Sequence, residues 1–117
     1  MIENDLLALF IRRAPAVCPT VRVFRRNIIR RKVVIEGREV MLVNGIPGQG
    51  DAEAIVRGGR HIEIETKAAK GRMRDRQEAW RAWCVSWGVP HLVLRARAGE
   101  EPSATVERWC KELRGIL

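Results

Sequence analysis

Residues 50–77 read GDAEAIVRGGRHIEIETKAAKGRMRDRQ, and the order of polarity along them sets the fold. Asp51 follows a glycine-rich turn and opens a short strand that runs to Val56. Gly58 and Gly59 supply the backbone freedom of a tight turn. The next strand, residues 61–68, alternates: Ile62, Ile64 and Thr66 face one side, Glu63, Glu65 and Lys67 the other. Ala69, Lys70, Gly71 and Arg72 then lead into a helix over residues 74–87, on which Gln77, Trp80, Cys84 and Trp87 share a stripe. Gly88 caps that helix and Pro90 prevents its continuation.

The pattern extends in both directions. Upstream, residues 44–50, NGIPGQG, hold three glycines and a proline. That composition predicts a loop with special backbone angles, or one through which backbone approaches a ligand. Residues 33–43 place the turn 36–39 between VVI and VMLV, a hairpin. Residues 27–32 read as a basic connection, and residues 20–26 as a strand with Val21 and Val23 on one face. Residues 2–13 predict a helix with the apolar stripe Leu6, Leu7, Phe10 and Ile11, ended by Pro15 and Pro19. Downstream, residues 91–96 predict a strand, and Pro102 and Ser103 open a last helix. Helix, strands, helix, strand, helix in this order predicts an α/β fold, one mixed β-sheet flanked by helices, as a single domain over residues 1–117.

Composition bounds what the domain does. Hydrophobic residues make up 46% and charged residues 31%, values of a globular chain. No apolar run approaches the ~20 residues of a spanning helix, and the acidic start of the amphipathic N-terminus differs from a secretory signal. A cytoplasmic protein with no membrane association is expected. Cys18, Cys84 and Cys110 are far apart and form no C-x-x-C pair, so small buried thiols are expected rather than zinc or disulfides. The formal charge is +8. Between Leu6 and Ile35 there is no acid, and that stretch carries eight basic residues; the remainder has 14 basic and 14 acidic residues and is neutral. The whole excess thus lies in one block, which predicts a polyanion partner, most simply nucleic acid.

Glu65 and Lys67, two apart on a strand, share a face. A carboxylate there binds a divalent cation that lowers the pKa of a bound water, and the ammonium positions that water or stabilises developing negative charge. Asp51, at the start of the neighbouring strand, offers a second carboxylate. Oxygen ligands of this kind favour Mg²⁺ or Mn²⁺. Glu63 leaves a rival register in which Glu63 and Glu65 are the ligands. Gln77, at the head of an apolar stripe, points toward the end of the Glu65 strand and could orient a water or a phosphate. Trp80, Trp83 and Trp87 read as core or subunit interface in preference to base stacking. His61 and His91 have no partner at a triad or metal spacing and receive no role.

These residues resemble the virus-type replication-repair nuclease domain (VRR-NUC), a branch of the PD-(D/E)XK nucleases. The resemblance covers nearly the whole chain and rests on GIPGQGD ending at Asp51, on IETK with Glu65 and Lys67, and on Gly71, Arg72 and Gln77 beyond it. Glu3, before the amphipathic helix, is similar to a helix glutamate that completes the metal site in relatives, with Asp5 a neighbouring candidate. VFRRN at residues 23–27 resembles the arginine-bearing strand after that helix. The resemblance implies a restriction-endonuclease-like fold and a metal-dependent endodeoxyribonuclease. Asp51, Glu65, Lys67 and Gln77 would be catalytic. Asp51, Glu65, the backbone carbonyl of Thr66 and Glu3 would hold Mg²⁺ or Mn²⁺, with no small-molecule cofactor. Arg25, Arg26, Arg30, Arg31, Lys32, Lys70 and Arg72 would contact DNA. The short stand-alone phage members are similar to Holliday-junction resolvases. A homodimer selective for branched DNA, in a bacterial or phage-infected cell, is therefore expected. A non-catalytic DNA-binding protein and a restriction-type duplex endonuclease are the alternatives.

Overall fold

Alternation of apolar and polar residues builds the sheet, and one buried stripe per helix covers it. A computed structural model describes residues 3–27, 29–46 and 48–117, with the side chains of residues 3 and 4 left aside. The elements are α1 (Glu3–Val17), β1 (Val21–Arg25), β2 (Arg30–Ile35), β3 (Arg38–Val43), β4 (Ala52–Val56), β5 (His61–Lys67), α2 (Asp75–Ser86), β6 (His91–Arg95) and α3 (Pro102–Gly115). Four strands form a mixed sheet in the order β1-β4-β5-β6, antiparallel except for the β5–β6 pair, which α2 connects. The described residues thus form a mixed α/β fold with three helices, as the order of patterns predicts.

The core lies on one face of this sheet. Val21, Val23, Ala52, Ala54, Ile62, Ile64 and Leu94 meet Leu6, Leu7, Phe10 and Ala14 of α1 and Val106, Trp109, Cys110 and Leu113 of α3. Phe10 meets Trp109 edge to face, ring centroids 6.0 Å apart at 83°, the geometry that aromatic quadrupoles favour. The three cysteines are free and buried, as expected. Among the described residues, no helix is long and apolar enough to cross a membrane.

Two boundaries differ from the sequence expectation. Pro15 lies inside α1, which runs on to Val17. A proline in the last turn forfeits few backbone hydrogen bonds, while continuation buries Ala14 and Cys18; the Cys18 N–H donates to the Ala14 carbonyl at 2.7 Å. Residues 30–32, expected in a connection, belong to β2. The β2–β3 hairpin turns at Glu36 and Gly37, both at positive φ, as a type I′ turn requires. It does not join the four-stranded sheet but forms its own two-stranded ribbon. Val34, Ile35, Met41, Leu42 and Val43 remain exposed on it, and among the described residues its strands pack chiefly on each other.

The glycine-rich loop is fixed by steric demand. A Cβ at Gly50 would lie 2.2 Å from the Ile64 carbonyl oxygen, and one at Gly48 would lie 2.1 Å from that of Arg76. The loop is therefore clamped between β5 and the start of α2. Gly50→Ala is expected to destabilise the protein by at least about 2 kcal/mol in urea unfolding, through overpacking against backbone that cannot yield. Gly58→Ala, at φ +98° with open space around it, is expected to cost only the strain of its backbone conformation, about 1 kcal/mol. Equal losses at the two positions would show that the loop yields.

Candidate active site

The polar face of β5 is covered rather than solvated. Glu63 and Glu65 are each 2% exposed and Lys67 is 9% exposed. Such burial of charge is costly unless each group is paired. The pairing partners come from α2, from Arg26 just past β1 and from His61 on β5 itself, and they divide the face into two sets.

The first set is centred on Gln77. Its Nε2 donates to Glu65 Oε1 at 3.0 Å, and its Oε1 accepts from Lys67 Nζ at 2.8 Å and from the Arg74 backbone N–H at 2.9 Å. Lys67 Nζ also stands 3.7 Å from Glu65 Oε1. The two donors on Oε1 and one acceptor at Nε2 fix which way the amide points. Gln77 occupies the third position of α2, so its contact with Arg74 doubles as a helix cap. The helix start is thereby pinned to β5.

Asp51 approaches from the other side. The β4–β5 ladder ends at the pair Ala52–Ile64, so β5 extends beyond its partner. The backbone of Glu63 and Lys67 turns toward β6: the Glu63 N–H donates to Pro90 and the Lys67 carbonyl accepts from Ala96. The backbone groups of Thr66 therefore turn the opposite way, to the gap that β4 leaves. Asp51 fills it. Its Oδ2 accepts from the Thr66 N–H at 2.8 Å and the Thr66 hydroxyl at 2.9 Å. Sequence reasoning gave the Thr66 side chain no task, yet it holds the Asp51 carboxylate against the peptide that joins Glu65 to Thr66. Glu65, Lys67 and Gln77 thus meet directly, and Asp51 joins them through Thr66. Glu3, the remaining expected ligand, has its side chain outside the described residues.

The second set was not legible in sequence. Arg26 donates from both terminal nitrogens to Glu63, 2.8 Å to each oxygen, to Glu53 Oε2 at 2.9 Å and to the Gly50 carbonyl at 3.1 Å. Trp80 Nε1 donates to Glu63 Oε1 at 3.1 Å, and His61 Nε2 contacts Glu63 Oε2. Burial pushes the Glu63 carboxyl up, but the hydrogen bonds and charges of Arg26 and His61 outweigh it and hold the group below the ordinary carboxylate range. Arg26, named from sequence as a DNA contact, is a half-buried counter-ion here, its side chain 13% exposed and its guanidinium engaged by Glu63 and Glu53. Glu63 is fully engaged by Arg26, His61 and Trp80, which leaves Glu65 as the acid beside Lys67. Ligand atoms of Glu53, His61 and Glu63 lie within 4.8 Å of one another. A cation there would have to displace the guanidinium that already bridges both acids, so this group is an ion-pair network.

The other basic residues named from sequence are distributed over the surface. Arg30, Arg31 and Lys32 lie exposed on β2, Arg25 is exposed at the end of β1, and Lys70 and Arg72 are exposed between β5 and α2. Comparison with protein-family models and with curated proteins finds no match to this chain.

Proposed function

We propose that the chain is a metal-dependent endodeoxyribonuclease that hydrolyses phosphodiester bonds in branched DNA. The observation that carries this reading is the buried Glu65–Lys67–Gln77 set, with Asp51 held beside it where β4 and β5 part. The donor set fits a hard divalent cation: two carboxylates and the carbonyl of Thr66, all oxygen, with no thiol or imidazole among them. Asp51, Glu65 and the Thr66 carbonyl would hold Mg²⁺, or Mn²⁺ in its place. When bound, the ion supplies positive charge at the phosphoryl oxygens and a water of lowered pKa.

The protein's own residues do the rest. The Lys67 ammonium, held by Gln77, stands ready to hydrogen-bond the attacking water or the developing charge on phosphorus-bound oxygen. Gln77 keeps Lys67 and Glu65 at fixed separation, so neither reorganises when substrate arrives. Burial under α2 excludes bulk water and strengthens each of these interactions.

DNA would be held by phosphate contacts from the hairpin and the β5–α2 segment. Replacing Arg30, Arg31 and Lys32 together by Ala is expected to weaken binding uniformly across sequences and to lower the slope of log K against log salt by about 3. An unchanged slope would remove the hairpin from the DNA path. Two copies related by a two-fold axis would suit the symmetry of a four-way junction.

One observation favours a second reading, a DNA-binding protein without catalysis. Asp51 Oδ2 already accepts two hydrogen bonds from Thr66, an arrangement that is satisfied without an ion. Incubation of four-way junctions, flaps and duplex with Mg²⁺ and Mn²⁺ separates the two. Cleavage of a branched substrate supports the nuclease; salt-sensitive binding without cleavage of any substrate supports the second reading.

A further inference from the structure

Trp80, Trp83 and Trp87 do not form the core that their spacing suggests. Trp80 is buried, but Trp83 is 38% and Trp87 71% exposed. The three indoles pile on one another along α2: Trp80 and Trp83 lie 4.9 Å apart at 18°, and Trp83 and Trp87 lie 4.5 Å apart at 34°. Beside the pile runs a cleft of about 370 Å³ lined by Ile46, Arg76, Ala79, Trp80 and Trp83. Its far wall is fixed, since Gln49 hydrogen-bonds Ile46 through both backbone and side chain and Gly48 sits against the Arg76 carbonyl.

We infer that this aromatic track takes an unpaired stretch of the DNA strand, its bases against the indoles and Ile46 and a phosphate on Arg76. The inference rests on the nuclease reading and gives its substrate class: DNA with single-stranded bases next to the scissile bond. Three features select this occupant. The rings cover each other's inner faces, which leaves the outer face of Trp87, 71% exposed, for a base to stack on without regard to sequence, and the edges of Trp80 and Trp83 as an apolar wall for its neighbours. The cleft lining contains a cation and no acid. Residues 65–87, which carry the three indoles and Glu65, Lys67 and Gln77, hold six basic and three acidic residues, a charge balance that suits phosphate. The geometry links the track to the chemistry. Gln77, which holds the Glu65–Lys67 pair, and Arg76, which lines the cleft, are neighbours in the first turn of α2, so the site and the cleft lie at the same end of that helix.

The test measures binding in EDTA, which separates it from cleavage. The probes are a twelve-residue single strand of thymidine and a blunt duplex of the same length. The single strand is expected to quench tryptophan emission. Trp83→Ala and Trp87→Ala are each expected to weaken its binding about tenfold while changing duplex binding less than twofold. Trp87→Phe is expected to keep most of the affinity, because a flat ring remains. Trp87 is so exposed that its replacement leaves the fold intact, which circular dichroism checks. Equal losses for single strand and duplex, or no loss for either, would overturn the inference. So would a fall in solution mass on Trp87→Ala with DNA binding unchanged, which would make the track a contact between copies of the chain. If single-strand preference depends on the indoles yet no DNA is cut in Mg²⁺, the nuclease reading fails and the track stands. If junctions are cut and the variants bind every probe like wild type, the track fails and the nuclease stands.

Discussion

Glu65→Gln is expected to lower Mg²⁺-dependent cleavage by at least about 10²-fold while the protein folds and still binds DNA. The substitution keeps the size of the side chain and a carbonyl oxygen that can accept from Gln77 Nε2, so the link from β5 to α2 survives. What it removes is the negative charge that would bind the cation and that now faces Lys67 at 3.7 Å. Lys67→Met should fall in the same range, because Gln77 then has no ammonium to position. Single-turnover rates on a four-way junction, with gel-shift affinity measured in EDTA, read chemistry and binding separately. A folded Glu65→Gln protein that cuts at the wild-type rate would falsify the assignment of this carboxylate.

Arg26→Met is expected to destabilise the protein by about 3–5 kcal/mol, the range for stripping one partner from a buried ion pair. The cost arises because Glu63, 2% exposed, would keep its charge with only His61 and Trp80 to answer it. Adding Glu63→Met should recover much of the loss, since removing both charges leaves no orphan. Urea unfolding of the two single variants and the double variant gives the coupling directly. If Arg26 instead served phosphate, Arg26→Met would weaken DNA binding and leave stability unchanged. The same pair sets a pH dependence. Glu63 is held below its ordinary value near 4.5, so its stabilising contribution is complete above that pH. The contribution is lost as pH falls from about 4.5 through the lower folded value, because the unfolded chain takes up the proton first. Arg26→Met should flatten this part of the stability profile.

How far the sequence could be read follows from the range of each interaction. The alternation along residues 61–67 is local, so the strand and its two faces were legible, and with them Glu65 and Lys67. Gln77 was legible because a polar residue heading an apolar stripe has few places to point. The ion pair of Arg26 was not legible because its partner Glu63 is 37 residues away, and its neighbours Arg25, Arg30 and Arg31 make it resemble one more member of a basic block. Periodicity marks β2 and β3 as strands but carries no information on which sheet they join, so the separate ribbon was not foreseen. The tryptophans share the helical spacing of core residues; only the packing of α2 on the sheet decides that Trp83 and Trp87 fall outside it.

The separate ribbon also governs how the protein behaves at high concentration. Each of its strands has one row of backbone groups facing its partner and another facing water, and its side chains are apolar on both sides. Such a segment readily recruits a like segment from another molecule. Six charged residues between Arg30 and Glu39, four of them basic, give neighbouring molecules a reason to keep apart. Salt that shields those charges should therefore promote self-assembly through the ribbon first, well before the four-stranded body unfolds.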